Sequence, residues 1–184
     1  LNSELTLRNL QLERELEVLR NEVNELKRDS SYTERTLAAK LQELPVLSAH
    51  VVGNSITMRD NYITIDKGAK DGVKPRMGVV CGTGIVGIVS QVTDNYAVVM
   101  SVLNSKSSIS CRLRGSRYFG YLHWHGGNVL CATLDDIPRH ANFKLGDAVE
   151  TSGFSNVFPS GIFVGRIIQI RDSRDGLSYQ LMVQ

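Results

Sequence analysis

Proline and glycine are missing from the first 44 residues, and the whole chain of 184 residues holds only 4 prolines, 3 cysteines and 1 tryptophan. Each scarcity excludes something. Cys81, Cys111 and Cys131 are odd in number and widely spaced, and none forms a Cys-x-x-Cys pair, so no disulfide framework is implied. They read as small buried apolar side chains in strands, with one bridge plus a free thiol as the alternative. No apolar run approaches the ~20 residues that carry a helix across a bilayer, and no signal-peptide core is visible. Neither sign of charge dominates, the formal net being +2. No basic run interleaves with aromatics, so nucleic acid is not expected as a partner. An apolar content of 42% is ordinary for a globular chain and suffices for one or two small cores.

The absent glycines and prolines leave room for a long helix, and Pro45 ends the run as a helix breaker does. Leu5, Leu12, Leu19 and Leu26 recur every seven residues. With these at position d, position a holds Asn2, Asn9, Leu16 and Val23, a heptad repeat of the length that marks a coiled coil. In a parallel pair, position g of one helix faces position e of its partner's next heptad. Those pairs are Arg8 with Glu13, Glu15 with Arg20, and Glu22 with Lys27, all opposite in sign. Each contributes only about 0.3–0.5 kcal/mol, so the charges choose orientation more than they stabilise. Asn9 at position a favours a two-stranded register. The expected dimer seam is therefore Leu5, Asn9, Leu12, Leu16, Leu19, Val23 and Leu26. After Leu26 the heptad fades, and Leu37, Leu41 and Leu44 form a separate stripe expected to lie against the body that follows. At ~1.5 Å per residue the helix of residues 1–44 reaches about 65 Å, a spacer as well as a pairing device.

From Val46 onward the helical period disappears. Eleven β-branched or aromatic runs alternate with turn signals such as Asp71-Gly72, Gly126-Gly127 and Gly146-Asp147. So many short strands predict closed barrels or sandwiches. The expected fold is mainly β, a coiled-coil helix (1–44) followed by two small β-barrels packed together, over 46–115 and 116–184. Barrels of ~70 residues bury little alone, so the two are expected to share an interface. Within this region, Gly82-x-Gly84-x-x-Gly87 has the spacing of a dinucleotide phosphate loop. Ile88-Val-Ser-Gln-Val92 follows it, however, and no helix N-terminus is there to meet a phosphate. Two strands and a tight turn are expected instead, and no cofactor.

Two blocks carry a family resemblance. One is Ile63-Thr-Ile-Asp-Lys-Gly-Ala-Lys-Asp-Gly-Val73, followed by Met77-Gly-Val-Val80 and Gly84-Ile-Val-Gly-Ile-Val-Ser-Gln-Val92. The other is Gly146-Asp-Ala-Val-Glu-Thr-Ser-Gly153, continued by Phe158-Pro-Ser-Gly-Ile-Phe-Val-Gly165. In this order after a coiled coil they resemble the extracytoplasmic part of the bacterial rod shape-determining protein family MreC. The resemblance implies a non-catalytic scaffold of the cell-elongation machinery. By the same resemblance its partners are a class B penicillin-binding transpeptidase, the membrane protein MreD and the actin-like MreB. It also implies a place on the periplasmic face of the cytoplasmic membrane, single-pass anchored by a segment outside this sequence. The family's barrels can be interleaved, and the sequence leaves open both this and the extension of dimers into filaments.

Ser152 sits in Thr-Ser-Gly without the aspartate that precedes a protease serine, and nothing places a base, an acid and oxyanion donors around it. His123-x-His125 shares one strand face and could address a metal, with Cys111, Cys131 or His140 as a third ligand. No spacing ties those residues together, so solvated strand histidines, or a partner-facing patch with Tyr121, are the preferred readings. Asp135-Asp136 face opposite ways on an extended chain and cannot share a substrate. An envelope transport adaptor is the alternative function, although adaptors carry a helical hairpin with β structure on both sides and here one helix precedes all the strands. No enzyme activity is expected. The aromatics Tyr118, Phe119, Tyr121 and Trp124 are the candidate partner-binding cluster.

Overall fold

Alternation of β-branched and polar residues sets the strands. The computed structural model describes residues 16–17, 20, 39, 46–82, 84–173 and 176–184. Leu16, Glu17, Arg20 and Ala39 are helical and exposed. The other seam positions, Leu5, Asn9, Leu12, Leu19, Val23 and Leu26, lie outside the described residues.

The first five strands are β1 (Val51–Asn54), β2 (Asp60–Ile65), β3 (Gly78–Cys81), β4 (Gly84–Val92) and β5 (Ala97–Asn104). They form one antiparallel sheet in the order β1-β2-β5-β4-β3. Its core gathers Ile63, Ile65, Val73, Val89, Ala97 and Val99. The Gly82-x-Gly84-x-x-Gly87 stretch is the β3–β4 hairpin, with Gly87 paired to Val79. At one corner of the sheet Asn61 and Asn104 are fully buried. Asn61 Nδ2 donates to the carbonyls of Met58 and Leu103, and Asn104 Nδ2 donates to that of Asn61. Their polar atoms are thus satisfied, which burial demands.

The second group is β6 (Ile109–Leu113), β7 (Phe119–His123), β8 (Ala132–Pro138), β9 (Ala148–Thr151), β10 (Phe163–Asp172) and β11 (Ser178–Val183). These close into a barrel in the order β10-β11-β8-β7-β6-β9, with β9 returning to β10. Inward residues fill it: Leu134, Ile137, Val149 and Leu181 are wholly buried. The expectation of two barrels is corrected here, because among the described residues only this one closes. Closing the first sheet would need β1 to pair with β3. Strand β1 has four residues and a register shift between Val51 and Gly53. Strand β3, the other edge, packs against the barrel. Strand β6, grouped with the first unit by the sequence reading, pairs with β7 and β9. Each sheet draws its strands from one contiguous stretch.

The two bodies share apolar packing, as their small size requires. Val80, Ile85, Ile88 and Val102 of the first sheet pack against the barrel's core cluster. At Gly78 a Cβ would lie 2.6 Å from the Val157 carbonyl oxygen and 2.7 Å from the Phe158 ring, so only glycine allows the approach.

Candidate functional site

The residue groups with catalytic potential are dispersed by the fold. Ser152 is buried, and its Oγ lies 2.7 Å from Ser110 Oγ rather than against a histidine. His50 pairs with Asp66 (3.0 Å) on the first sheet, and His140 meets the Tyr118 ring edge-on at 5.1 Å. His123 and His125 stack 6.2 Å apart, with Nδ1 of His123 held at 3.1 Å from the Ser107 carbonyl oxygen. His125 Nε2 stands 3.8 Å from Asp135 Oδ2. Among the described residues, no three His, Cys, Asp or Glu side chains converge to hold a metal ion. Asp135 accepts from Gln180 Nε2 at 2.9 Å. Burial holds its carboxyl above the usual range, against the opposing pull of both histidines. Its neighbour Asp136 is exposed, with φ of 65°. All three thiols are free; Cys111 is sealed in the barrel core, and burial pushes it up to about 12.

The outer face of the barrel offers a different kind of site. Strand β7 alternates, with Gly120 and Leu122 inward and Phe119 and Tyr121 outward at 41% and 42% exposure. Their rings meet edge-on at 6.5 Å. Phe154, 68% exposed, comes from the loop between β9 and β10 and brings its ring to 4.7 Å from Phe119. Below these rings the neighbouring strands hold polar groups in place. Ser110 is the strand partner of Tyr121, and Arg112 that of Phe119. Arg112 Nε and Nη2 both donate to Glu150 Oε1, at 2.9 and 2.7 Å, and Arg114 Nε donates to Oε2 at 3.2 Å. Glu150 is buried by this pairing. A charge network of this kind fixes its strands firmly and leaves the aromatics on a rigid platform.

Of the four aromatics singled out in the sequence, the fold thus brings Phe119 and Tyr121 together on the surface. Tyr118 is half-buried against the barrel core and His140. Trp124 is 4% exposed, with Nε1 donating to the Asn128 carbonyl at 2.9 Å. Residues 118 and 124 have the parity that faces inward on β7. Phe154 was missed. Its signal is a large aromatic inside the turn-like run Ser152-Gly-Phe-Ser-Asn156, where a purely solvated loop has no use for one.

Comparison with known proteins extends this picture. Residues 51–184 match the family model described as rod shape-determining protein MreC, barrel core. A cell shape-determining protein MreC of Listeria monocytogenes is 30% identical over 175 residues, covering 92% of this chain and 59% of the relative. The chain therefore spans about three-fifths of that protein. In three dimensions, the crystal structure of MreC from Pseudomonas aeruginosa superposes with a TM-score of 0.67 at 23% identity, over 74% of this chain and 88% of that one. MreC in a complex with penicillin-binding protein PBP2 from Helicobacter pylori gives 0.59 at 18% identity, over 74% and 83%. At these identities the two structures share the fold with this chain.

Proposed function

The chain belongs to the rod shape-determining MreC family, and we propose that it is a non-catalytic scaffold of the cell-elongation machinery, acting outside the cytoplasmic membrane. Residues 1–44 pair two copies in parallel. The barrel presents Phe119, Tyr121 and Phe154 to a class B penicillin-binding transpeptidase, with MreD and MreB as further partners by family resemblance. The observation that carries this reading is the aromatic surface. Three large rings, each more than two-fifths exposed, cluster on one barrel face, with Phe119 meeting both of the others. Contiguous exposed apolar area of this kind marks a protein contact, and aromatic anchors dominate binding energy at such contacts. The Helicobacter pylori complex shows that a protein of this fold meets a penicillin-binding protein.

The test is binding of this chain to the soluble domain of the transpeptidase from the same organism, by calorimetry. Phe119→Ser/Phe154→Ser should weaken it by at least ~10-fold, in line with the loss of a buried aromatic anchor. Both rings are solvent-exposed in the free chain, so the variant should melt within a degree or two of the original. Undiminished affinity would remove the aromatic surface from the interface.

A further inference from the structure

Beside the aromatic surface, at the β6–β7 hairpin, lies an open notch of about 460 Å³ lined by Gly115, Ser116, Arg117, Tyr118 and Asn142. Its chemistry is one-sided. Arg117 is exposed and enters no ion pair or hydrogen bond among the described residues, in contrast to Arg112, Arg114 and Arg139, each held by a carboxylate. The Asn142 carboxamide is likewise unpaired and exposed. Ser116 Oγ accepts from the Tyr118 N–H at 3.1 Å, which leaves its own proton to give. No Asp or Glu lines the notch. A guanidinium, a carboxamide and a hydroxyl therefore line one open notch with donors to spare and no anion beside them.

We infer that this notch receives a carboxylate from an acidic side chain of the protein that covers the aromatic surface. One guanidinium fork matches one carboxylate in charge and plane, whereas a dianionic phosphate would call for further cations. Position favours a protein source. Arg117 precedes Phe119 by two residues on the same hairpin, and Phe119 is already in ring contact with Phe154. A partner laid over those rings passes the notch at their edge. Apolar anchoring in the middle with a charge at the rim is the ordinary layout of a protein interface.

The inference rests on the reading of Phe119, Tyr121 and Phe154 as the transpeptidase surface, and one experiment separates the two. Affinity of the full chain for the soluble transpeptidase domain would be measured at three salt concentrations, for the original chain, Arg117→Glu, Arg117→Lys and Phe119→Ser/Phe154→Ser. Arg117→Glu should bind about 10-fold more weakly at low salt, with the salt dependence flattened or reversed, because a rim charge acts through steering and register. Arg117→Lys should keep the salt dependence and lose part of the affinity. The aromatic variant should lose affinity and retain the salt slope. If Arg117→Glu matches the original chain in affinity and slope while the aromatic variant fails, the notch is not a carboxylate site and the surface reading survives. If both bind as the original does, the surface reading falls and the notch proposal with it.

Discussion

At the scale of single residues, the three cysteines differ more in environment than in sequence. Cys81 is exposed at the end of β3, Cys131 is half-buried, and Cys111 is fully buried in the barrel. The reactive species is the thiolate, and burial in an apolar core disfavours it. A thiol reagent should therefore label Cys81 first, Cys131 more slowly, and Cys111 only after unfolding. Equal rates at all three would contradict the placement of Cys111. The sign of the pH dependence follows from the same burial. The folded-state value of Cys111 is raised to about 12, above the ~8.5 of a free thiol. Its contribution to stability is complete below the free-thiol value and is lost as pH rises toward 12. Cys111→Val should flatten that alkaline loss, measured as denaturant midpoint against pH. The same residues show where sequence stops. Burial of the cysteines is the expected fate of small apolar strand residues, yet nothing in the spacing separates Cys111, on the inward parity of a barrel strand, from Cys81 at a hairpin tip. That distinction comes from which strands close.

At the scale of elements, period-two alternation explains most of what could be read in advance. Nine of the eleven β-branched runs overlap the observed strands closely, because most strands have a buried face and alternation is how a half-buried strand is written, although β9 is buried throughout and β1 not at all. The exceptions are β1, displaced by two residues from the run at 49–52, and β8. The β-branched run there is Val129–Leu134, whereas the strand is Ala132–Pro138, which continues past Asp136, itself at positive φ, to a terminal proline. The aromatic cluster was half legible for the same reason: parity selects Phe119 and Tyr121 together, but Phe154 arrives from a loop 35 residues away in sequence, and only folding brings it. Glycine in a strand was harder to interpret. Gly120 sits mid-β7, and a Cβ there would drive into the backbone carbonyl of Asp135 on the neighbouring strand. Its role is close approach between β7 and β8 rather than a turn. Gly120→Ala should therefore cost at least ~3 kcal/mol, since neither backbone can yield without breaking the ladder. Chemical denaturation tests this, and a loss under about 1 kcal/mol, the ordinary cost of a surface change, would show that the strands part easily.

For the whole molecule the question is how an open sheet and a closed barrel act as one carrier. Val80, Ile85, Ile88 and Val102 bury against the barrel core, and Phe158 closes the joint at 3% exposure beside Gly78. A joint so filled leaves little freedom between the two bodies. Pairing by residues 1–44, as proposed above, would do more than double the mass. Two bodies so paired would present two aromatic faces, and a second contact to an immobilised partner would become intramolecular, at an effective concentration set by the spacer. Light scattering should give twice the chain mass of 20.4 kDa. Leu12→Asp/Leu19→Asp places charge at two d positions of the expected seam, and should yield a monomer whose β body melts unchanged. That monomer should bind a dissolved transpeptidase domain as tightly as the paired chain does, and a densely immobilised one at least ~10-fold more weakly, through loss of the second contact. A monomeric original chain would remove the coil as the pairing device. Equal binding of pair and monomer to the dense surface would instead mean that the two faces cannot engage together, and the scaffold would act one partner at a time.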